Sequence, residues 1–296
     1  MVAAAVAARD VDRVGLGWRA ELAAGIFAHL DQIDALEVVA DEHFRADARQ
    51  LRALRSLAAT RPLMLHGVTM GLASTIPVEA RRLERMARLI GAIEPASWSE
   101  HLAFVRAGGV EVGHLAAPPR TAQSVAGAIA NIRHAARVTG SAPHMENIAT
   151  LIAPPASSMD EAQWLGAIVD GANVPLLLDL HNLYANAVNF GLEPAALMLR
   201  LPLRRVHSVH ISGGRWIDEP GSVPPRKRLL DDHVHDVPPA VFALLTLLAR
   251  QVPHALTVIL ERDGHYPTFG HLLDQLNQAR AALRAGRVLQ AVPEPA

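Results

Sequence analysis

Six short, largely apolar runs of this chain each end in a side chain able to hold a metal ion. Leu63-Met64-Leu65 runs into His66, Trp98-Ser99-Glu100 into His101, Pro143-His144-Met145 into Glu146, and Leu176-Leu177-Leu178 into Asp179, with Asn182 three residues on. Val206-His207-Ser208-Val209 runs into His210, and Thr257-Val258-Ile259-Leu260 into Glu261. Any one of these has a bland explanation: a lone strand-end histidine is more often a satisfied structural residue, and a lone carboxylate a salt-bridge partner. The set is harder to explain that way. Each buried charge would carry a desolvation cost, and a shared metal cluster compensates all of them together.

A further pair lies in Leu230-Asp231-Asp232-His233-Val234-His235-Asp236. In an extended segment side chains alternate with period two, so Asp231 and His233 are expected on one side, chelating one ion together. Asp232 and His235 fit that geometry less well and are read as hydrogen-bond partners behind the ligands; the alternative is a solvated surface turn. The candidate ligands are then His66, His101, Glu146, Asp179, Asn182, His210, Asp231, His233 and Glu261. They exceed the capacity of one ion. Shared among two or three ions, with Glu146 or another carboxylate bridging, they leave positions open for water, dioxygen or substrate. The chain has no cysteine, which excludes disulfides, zinc ribbons and thiolate nucleophiles. Imidazole, carboxylate and amide oxygen suit iron, zinc or manganese alike.

The elements that must position these residues follow an alternation. Eight runs read as strands, at Arg13–Trp18, Ala35–Ala40, Leu63–Val68, Ser97–Leu102, Pro143–Ile148, Pro175–Leu180, Val206–Ser212 and Leu256–Arg262. Stretches of helical periodicity lie between and after them, at Val78–Ile93, Ala122–Val138, Met159–Ala172, Pro239–Arg250 and Phe269–Arg284. Strands and helices in alternation predict an α/β chain, and eight units predict a closed (β/α)8 TIM barrel whose strand ends carry the chemistry. A doubly wound sheet is the competitor, but Gly15-Leu16-Gly17-Trp18 lacks the third glycine of a phosphate turn. The polar stretch Gly213–Pro238 reads as a long functional loop.

The 296 residues are expected to form one domain, with an ordered core over about 10–288 and a frayed tail at Ala291–Ala296. Twenty-eight basic against 29 acidic residues give no pull toward nucleic acid or acidic membranes. No apolar run is long enough to span a bilayer, and Met1–Arg9 lacks a full signal-peptide layout, so the chain is read as cytoplasmic.

In order along the chain stand Gly15-Leu16-Gly17-Trp18-Arg19, Leu36-Glu37-Val38, His66-Gly67-Val68, Ser99-Glu100-His101-Leu102, Glu146-Asn147, Leu178-Asp179-x-x-Asn182-x-Tyr184-x-Asn186, Val209-His210, Asp231-x-His233 and Glu261-x-Asp263. At these residues the chain resembles the multinuclear non-haem iron-dependent oxidases related to the methanobactin-type peptide-modifying enzymes. The likeness implies a xylose-isomerase-like barrel holding two or three irons, which activates dioxygen and oxidises a peptide, commonly at cysteine, as ribosomally made natural products mature. A separate leader-recognition protein is a further partner that it allows. Asn147, Asn186, Arg215 and Trp216 are expected on the substrate side, with His181 and Asp263 behind the ligands. Two departures fall outside the nine ligands and bear on substrate identity. Ile211-Ser212-Gly213-Gly214 replaces a pattern ending in a second histidine, and His181 stands where many members have an asparagine.

Three rivals remain. The donor order is similar to that of trinuclear zinc apurinic endonucleases, which carry a histidine where Asn182 stands; neutral charge and 4% aromatics argue against a nucleic-acid face. A sugar isomerase needs fewer metals and usually a lysine or paired carboxylates, and the only lysine is Lys227, in the long loop. A non-catalytic binding module is expected to have lost ligands, and none of the nine is lost.

Overall fold

In the computed structural model, which describes residues 11–219, 221–222 and 225–291, the eight expected runs form eight parallel strands closed into a barrel. They are β1 (Arg13–Gly17), β2 (Leu36–Val39), β3 (Leu63–Gly67), β4 (Ser97–His101), β5 (His144–Glu146), β6 (Leu176–Asp179), β7 (Val206–Ile211) and β8 (Thr257–Leu260). Each pairs with its neighbour in sequence, and β1 closes on β8 with Arg13 opposite Thr257 and Leu16 opposite Leu260. Most strand residues are buried, which is why the runs read as continuous apolar segments and not as alternating ones. At Gly15 an added Cβ would stand 2.1 Å from the Ala35 carbonyl oxygen, so this close approach of the chain between β1 and β2 requires glycine.

The outer helices begin where the sequence supplies caps. Asp47 with Gln50, Thr121 with Ser124, and Asp160 with Gln163 form reciprocal capping boxes on the helices Ala48–Ala58, Ala122–Thr139 and Glu161–Ala172. Helices Ala80–Ile93, Pro239–Gln251 and Phe269–Ala291 complete the five expected segments, the last running seven residues beyond Arg284. Ala291 thus closes a helix, and the rest of the expected tail, like Met1–Arg9, lies outside the described residues. Among the described residues no helix is long and apolar enough to cross a membrane.

The structure departs from expectation in two connections. Gly213–Pro238, expected to be irregular, contains an antiparallel hairpin in which Gly214–Asp218 pairs with Lys227–Asp231. Gly214 pairs with Asp231 at its open end, and Arg215-Trp216-Ile217 and Arg228-Leu229-Leu230 form the ladder. A second hairpin, Phe104–Ala107 with Val110–Ala116, leaves β4 directly after the candidate ligand His101. Its turn is Gly108-Gly109, both at positive φ, a pair that a tight hairpin favours.

Candidate metal centre

Glu146, the last residue of β5, lies at the middle of the carboxyl-terminal mouth. Its Oε2 stands 3.4 Å from His66 Nε2 and 3.2 Å from His101 Nε2, and its Oε1 stands 3.1 Å from His210 Nδ1. The far nitrogens of two of these rings are engaged from behind. His66 Nδ1 lies 2.8 Å from Ser99 Oγ, and His101 Nδ1 donates to the Gly67 carbonyl at 3.1 Å, so both Nε2 atoms are left facing the carboxylate. His210 also meets Glu261 Oε2 at 3.1 Å, and Glu261 Oε2 in turn lies 3.6 Å from His233 Nδ1. Asp231 Oδ2 is 3.0 Å from His233 Nε2.

Three overlapping groups place their donor atoms within 4.8 Å of one another and could hold an ion: Glu37, His66 and His210; His66, His101 and Glu146; and Glu146, Asp179, His210 and Glu261. Eight of the nine sequence candidates are thus joined by these groups and contacts. The ninth, Asn182, sits in the first turn of the helix Leu180–Asn189, where its N–H donates at 2.7 Å to Oδ1 of Asp179, the residue that caps the helix.

The donors fit a multinuclear centre on an observation independent of residue type. The buried atoms Glu146 Oε2, Asp179 Oδ2, His181 Nε2, Asn182 Oδ1 and Glu261 Oε2 have no hydrogen-bond partner, and four of the five belong to proposed ligands. Glu146 Oε2 and Glu261 Oε2 do lie within ion-pair distance of imidazoles, but without hydrogen-bond alignment, as expected of groups that converge on a point between them.

The electrostatics point the same way. Burial opposes the charge on His101, yet Glu146 and Glu100 raise its pKa to about 9. His210, resisted by burial, is driven well up by Glu261, Glu37 and Glu146. Glu261 is held well below the carboxylate range because His210 and His233 outweigh its burial. His233 and His181 likewise overcome burial to bring Asp231 down to about 2. Asp179 is the exception: burial, then the charges of Asp231 and Glu146, push it well up. Carboxylates thus crowd beyond what the imidazoles neutralise, and a cation relieves that excess.

The Asp231–His233 pair meets as expected but not for the expected reason. The chain is not extended there: His233 lies at φ 55° in a bend, and the turn, not strand alternation, brings the two together. His181 Nδ1 bonds Asp231 Oδ1 at 2.8 Å, and Asp263 Oδ2 lies 3.2 Å from His233 Nδ1, so both stand behind the candidate ligands. Asp232 and His235 do not. They bond each other at 2.8 Å, with Arg215 at 3.6 Å from Asp232, because the bend turns them outward. Asn147 and Asn186 are buried and engaged by hydrogen bonds. Asn147 bonds the backbone of Asp179 in both directions at 2.9 Å. The Asn186 amide is spent on Ile148 O, Glu161 and Thr150 N. Arg215 and Trp216 are exposed on the hairpin.

Two buried carboxylates were missed as site residues. Glu37 on β2 reaches His210 Nε2 at 3.0 Å, and Glu100 accepts from the backbone of His101 at 2.9 Å and of Met70 at 3.2 Å. Glu37 had a legible signal, a charge inside the apolar run Leu36–Val39.

Comparison with known proteins places the chain in a family. Residues 13–284 match the model of a family described as RiPP precursor modification enzyme MbnB/TglH/ChrH, that is, enzymes acting on ribosomally made peptides. A UPF0276 protein of Anaeromyxobacter sp. is 30% identical over 269 residues, covering 90% of each chain. Another, from Bordetella bronchiseptica, is 32% identical over 281 residues, 94% of this chain and 95% of its own. A Streptomyces avermitilis UPF0276 protein is 34% identical over 278 residues, and the chain spans about half of its length (54%). Among solved structures, L-ribulose 3-epimerase superposes with a TM-score of 0.60 at 13% identity, over 97% of this chain and 100% of that one. The D-psicose 3-epimerase of Clostridium cellulolyticum H10 gives 0.56 at 12%, over 95% and 100%. At such identity these neighbours establish a shared xylose-isomerase-like barrel and nothing about the reaction.

Proposed function

Because the chain belongs to the MbnB/TglH/ChrH family of RiPP precursor modification enzymes, we propose that it is a multinuclear iron oxidase that uses dioxygen to modify a peptide, at cysteine where the peptide carries one. The observation that carries this reading is the convergence of hard nitrogen and oxygen donors, several without partners, on one buried mouth. His66, His101 and Glu146 would hold one ion, and Asp179, His210 and Glu261 a second with Glu146 between them. Asp231 and His233 are assigned to a third, with Asn182, whose Oδ1 has no hydrogen-bond partner, as a further donor. Iron bound there supplies redox chemistry and dioxygen activation; zinc and manganese suit the same donors.

The chain's own residues contribute orientation and exclusion. Ser99 and the Gly67 carbonyl fix two imidazoles, and His181 engages one oxygen of Asp231 while leaving the other toward the centre. Arg215 and Trp216 are assigned to gathering the peptide, either alone or with a leader-recognition protein. The reading places the reaction in the cytoplasm, where a nascent precursor is available. Protein expressed with ample iron and purified without oxygen is expected to hold two or three irons per chain and to consume dioxygen only when a cysteine-containing precursor peptide is added. One zinc per chain and no iron would overturn the oxidase reading.

A further inference from the structure

His233 is reached only after the hairpin, and its backbone is held at φ 55°, a conformation that residues with side chains seldom adopt. Its N–H donates to the Gly213 carbonyl at 3.0 Å, and its own carbonyl accepts from Asp263 N–H at 2.9 Å. The ring has two distinct sides. Nε2 faces Asp231 at 3.0 Å, and Nδ1 faces Asp263 Oδ2 at 3.2 Å. The other Asp263 oxygen is taken by Arg19, through Nε at 3.0 Å and through Nη2. Arg19 is fixed in turn: Nη1 donates to the Trp18 carbonyl at 2.7 Å, and the guanidinium folds over Gly17, where a Cβ would lie 3.3 Å from Nη1. Guanidinium, carboxylate and imidazole thus form one chain from the end of β1 to the far loop, across 244 positions of sequence between Arg19 and Asp263.

We infer that Arg19, acting through Asp263, positions His233 for the metal centre. Asp263 accepts Nδ1–H and so sets the tautomer that turns the Nε2 lone pair toward Asp231. Arg19 aims that carboxylate from the opposite side. Arg19 makes no hydrogen bond to any of the nine candidate ligands, so it is a positioning residue, and the inference rests on the metal-centre reading above. The competing role is a staple across the β1–β8 seam. Asp263 is 42% exposed on its side chain, and an ion pair with so wet a partner adds little to stability.

The test is anaerobic titration of metal-free full chain with cobalt(II), followed by its visible absorption, on wild type and on Arg19→Met, Arg19→Lys, Asp263→Asn, His233→Ala and the double variant Arg19→Met/Asp263→Asn. Wild type is expected to take up more than one ion. Arg19→Met and Asp263→Asn should each weaken one class of site by about 10- to 100-fold and shift its absorption bands, leaving the other class as tight as before. Arg19→Lys should recover part of the loss, the double variant should be no worse than Asp263→Asn, and the melting temperature of the metal-free protein should not move. Unchanged cobalt affinity and bands in Arg19→Met would overturn the inference while sparing the metal centre. So would additive losses in the double variant, or a lowered metal-free melting temperature with all classes weakened equally. If wild type takes up no cobalt, the metal centre falls and this inference with it.

Discussion

Strands β5 and β7 each carry a histidine near their start and a candidate ligand at their end, and the two mouths of the barrel give imidazole opposite properties. At the amino-terminal mouth His144, His207 and His254 line a cavity of about 750 Å3, with the rings of His207 and His254 stacked at 4.5 Å. There burial, and then the neighbouring His207, push the His144 pKa down to about 4. At the carboxyl-terminal mouth His101 is held at about 9, because Glu146 and Glu100 overcome the same burial. The difference is carboxylate. Fifteen histidines in the sequence mark neither mouth as a metal site; the alternation of buried carboxylates with imidazoles marks one of them.

The sharpest way to break this contrast is to remove a carboxylate from the rich mouth. Glu146→Gln keeps shape while deleting the charge that faces His66, His101 and His210, and Asp179→Asn does the same on β6. Each is expected to leave a folded barrel by circular dichroism with little bound metal, and turnover reduced by more than about 100-fold. Normal metal content with normal activity in either variant would remove that residue from the centre. A smaller effect separates recognition from ligation in the hairpin loop. Arg215→Ala with Trp216→Ala should raise the peptide KM about tenfold, roughly 1.4 kcal/mol, at unchanged metal content. His233→Ala should lose metal as well, and identical behaviour of the two would end the distinction.

An effect confined to stability, with no change expected in bound metal or turnover, belongs to the other mouth. His144 titrates near 4 when folded and near its ordinary 6.5 when unfolded. Between those values the unfolded chain binds more protons, so the stability present above pH 6.5 is lost as pH falls through that window and levels off below about 4. The full shift, discounted because the ring is partly exposed, amounts to about 2 kcal/mol. Denaturant unfolding of His144→Gln against pH should show a correspondingly shallower acid slope; an unchanged slope would mean that another group carries it.

The eight strands and most of the candidate centre were readable because both follow from local pattern. A buried parallel strand is a continuous apolar run, and a polar residue at its end must sit at a mouth. Glu37 escaped because it lies inside its run, where a charge is informative only once the facing His210 is known. The hairpin in Gly213–Pro238 escaped because glycines and prolines are scattered through the segment and its two short ladder segments, Arg215 to Ile217 and Arg228 to Leu230, show no polar–apolar alternation. The Asp231–His233 pairing was found through spacing whose stated geometry does not hold, since a left-handed residue replaces the extended chain. Arg19 could not be found at all, because its partner is 244 positions away and no local rule links them.

The closure of the barrel gives the centre a place in time as well as in space. Arg13 meets Thr257 only when the last strand joins the first, the most distant strand pairing in the chain. Glu261 follows directly on that strand, so the carboxylate between His210 and His233 arrives with the final pairing. Pairings this distant form late, after the loop-closure entropy has been met. Until then the other strand ends present imidazoles and carboxylates short of one carboxylate, and the candidate ligand set is incomplete. On the proposed reading, the full ligand set for the ions is complete only once apolar packing has closed the barrel.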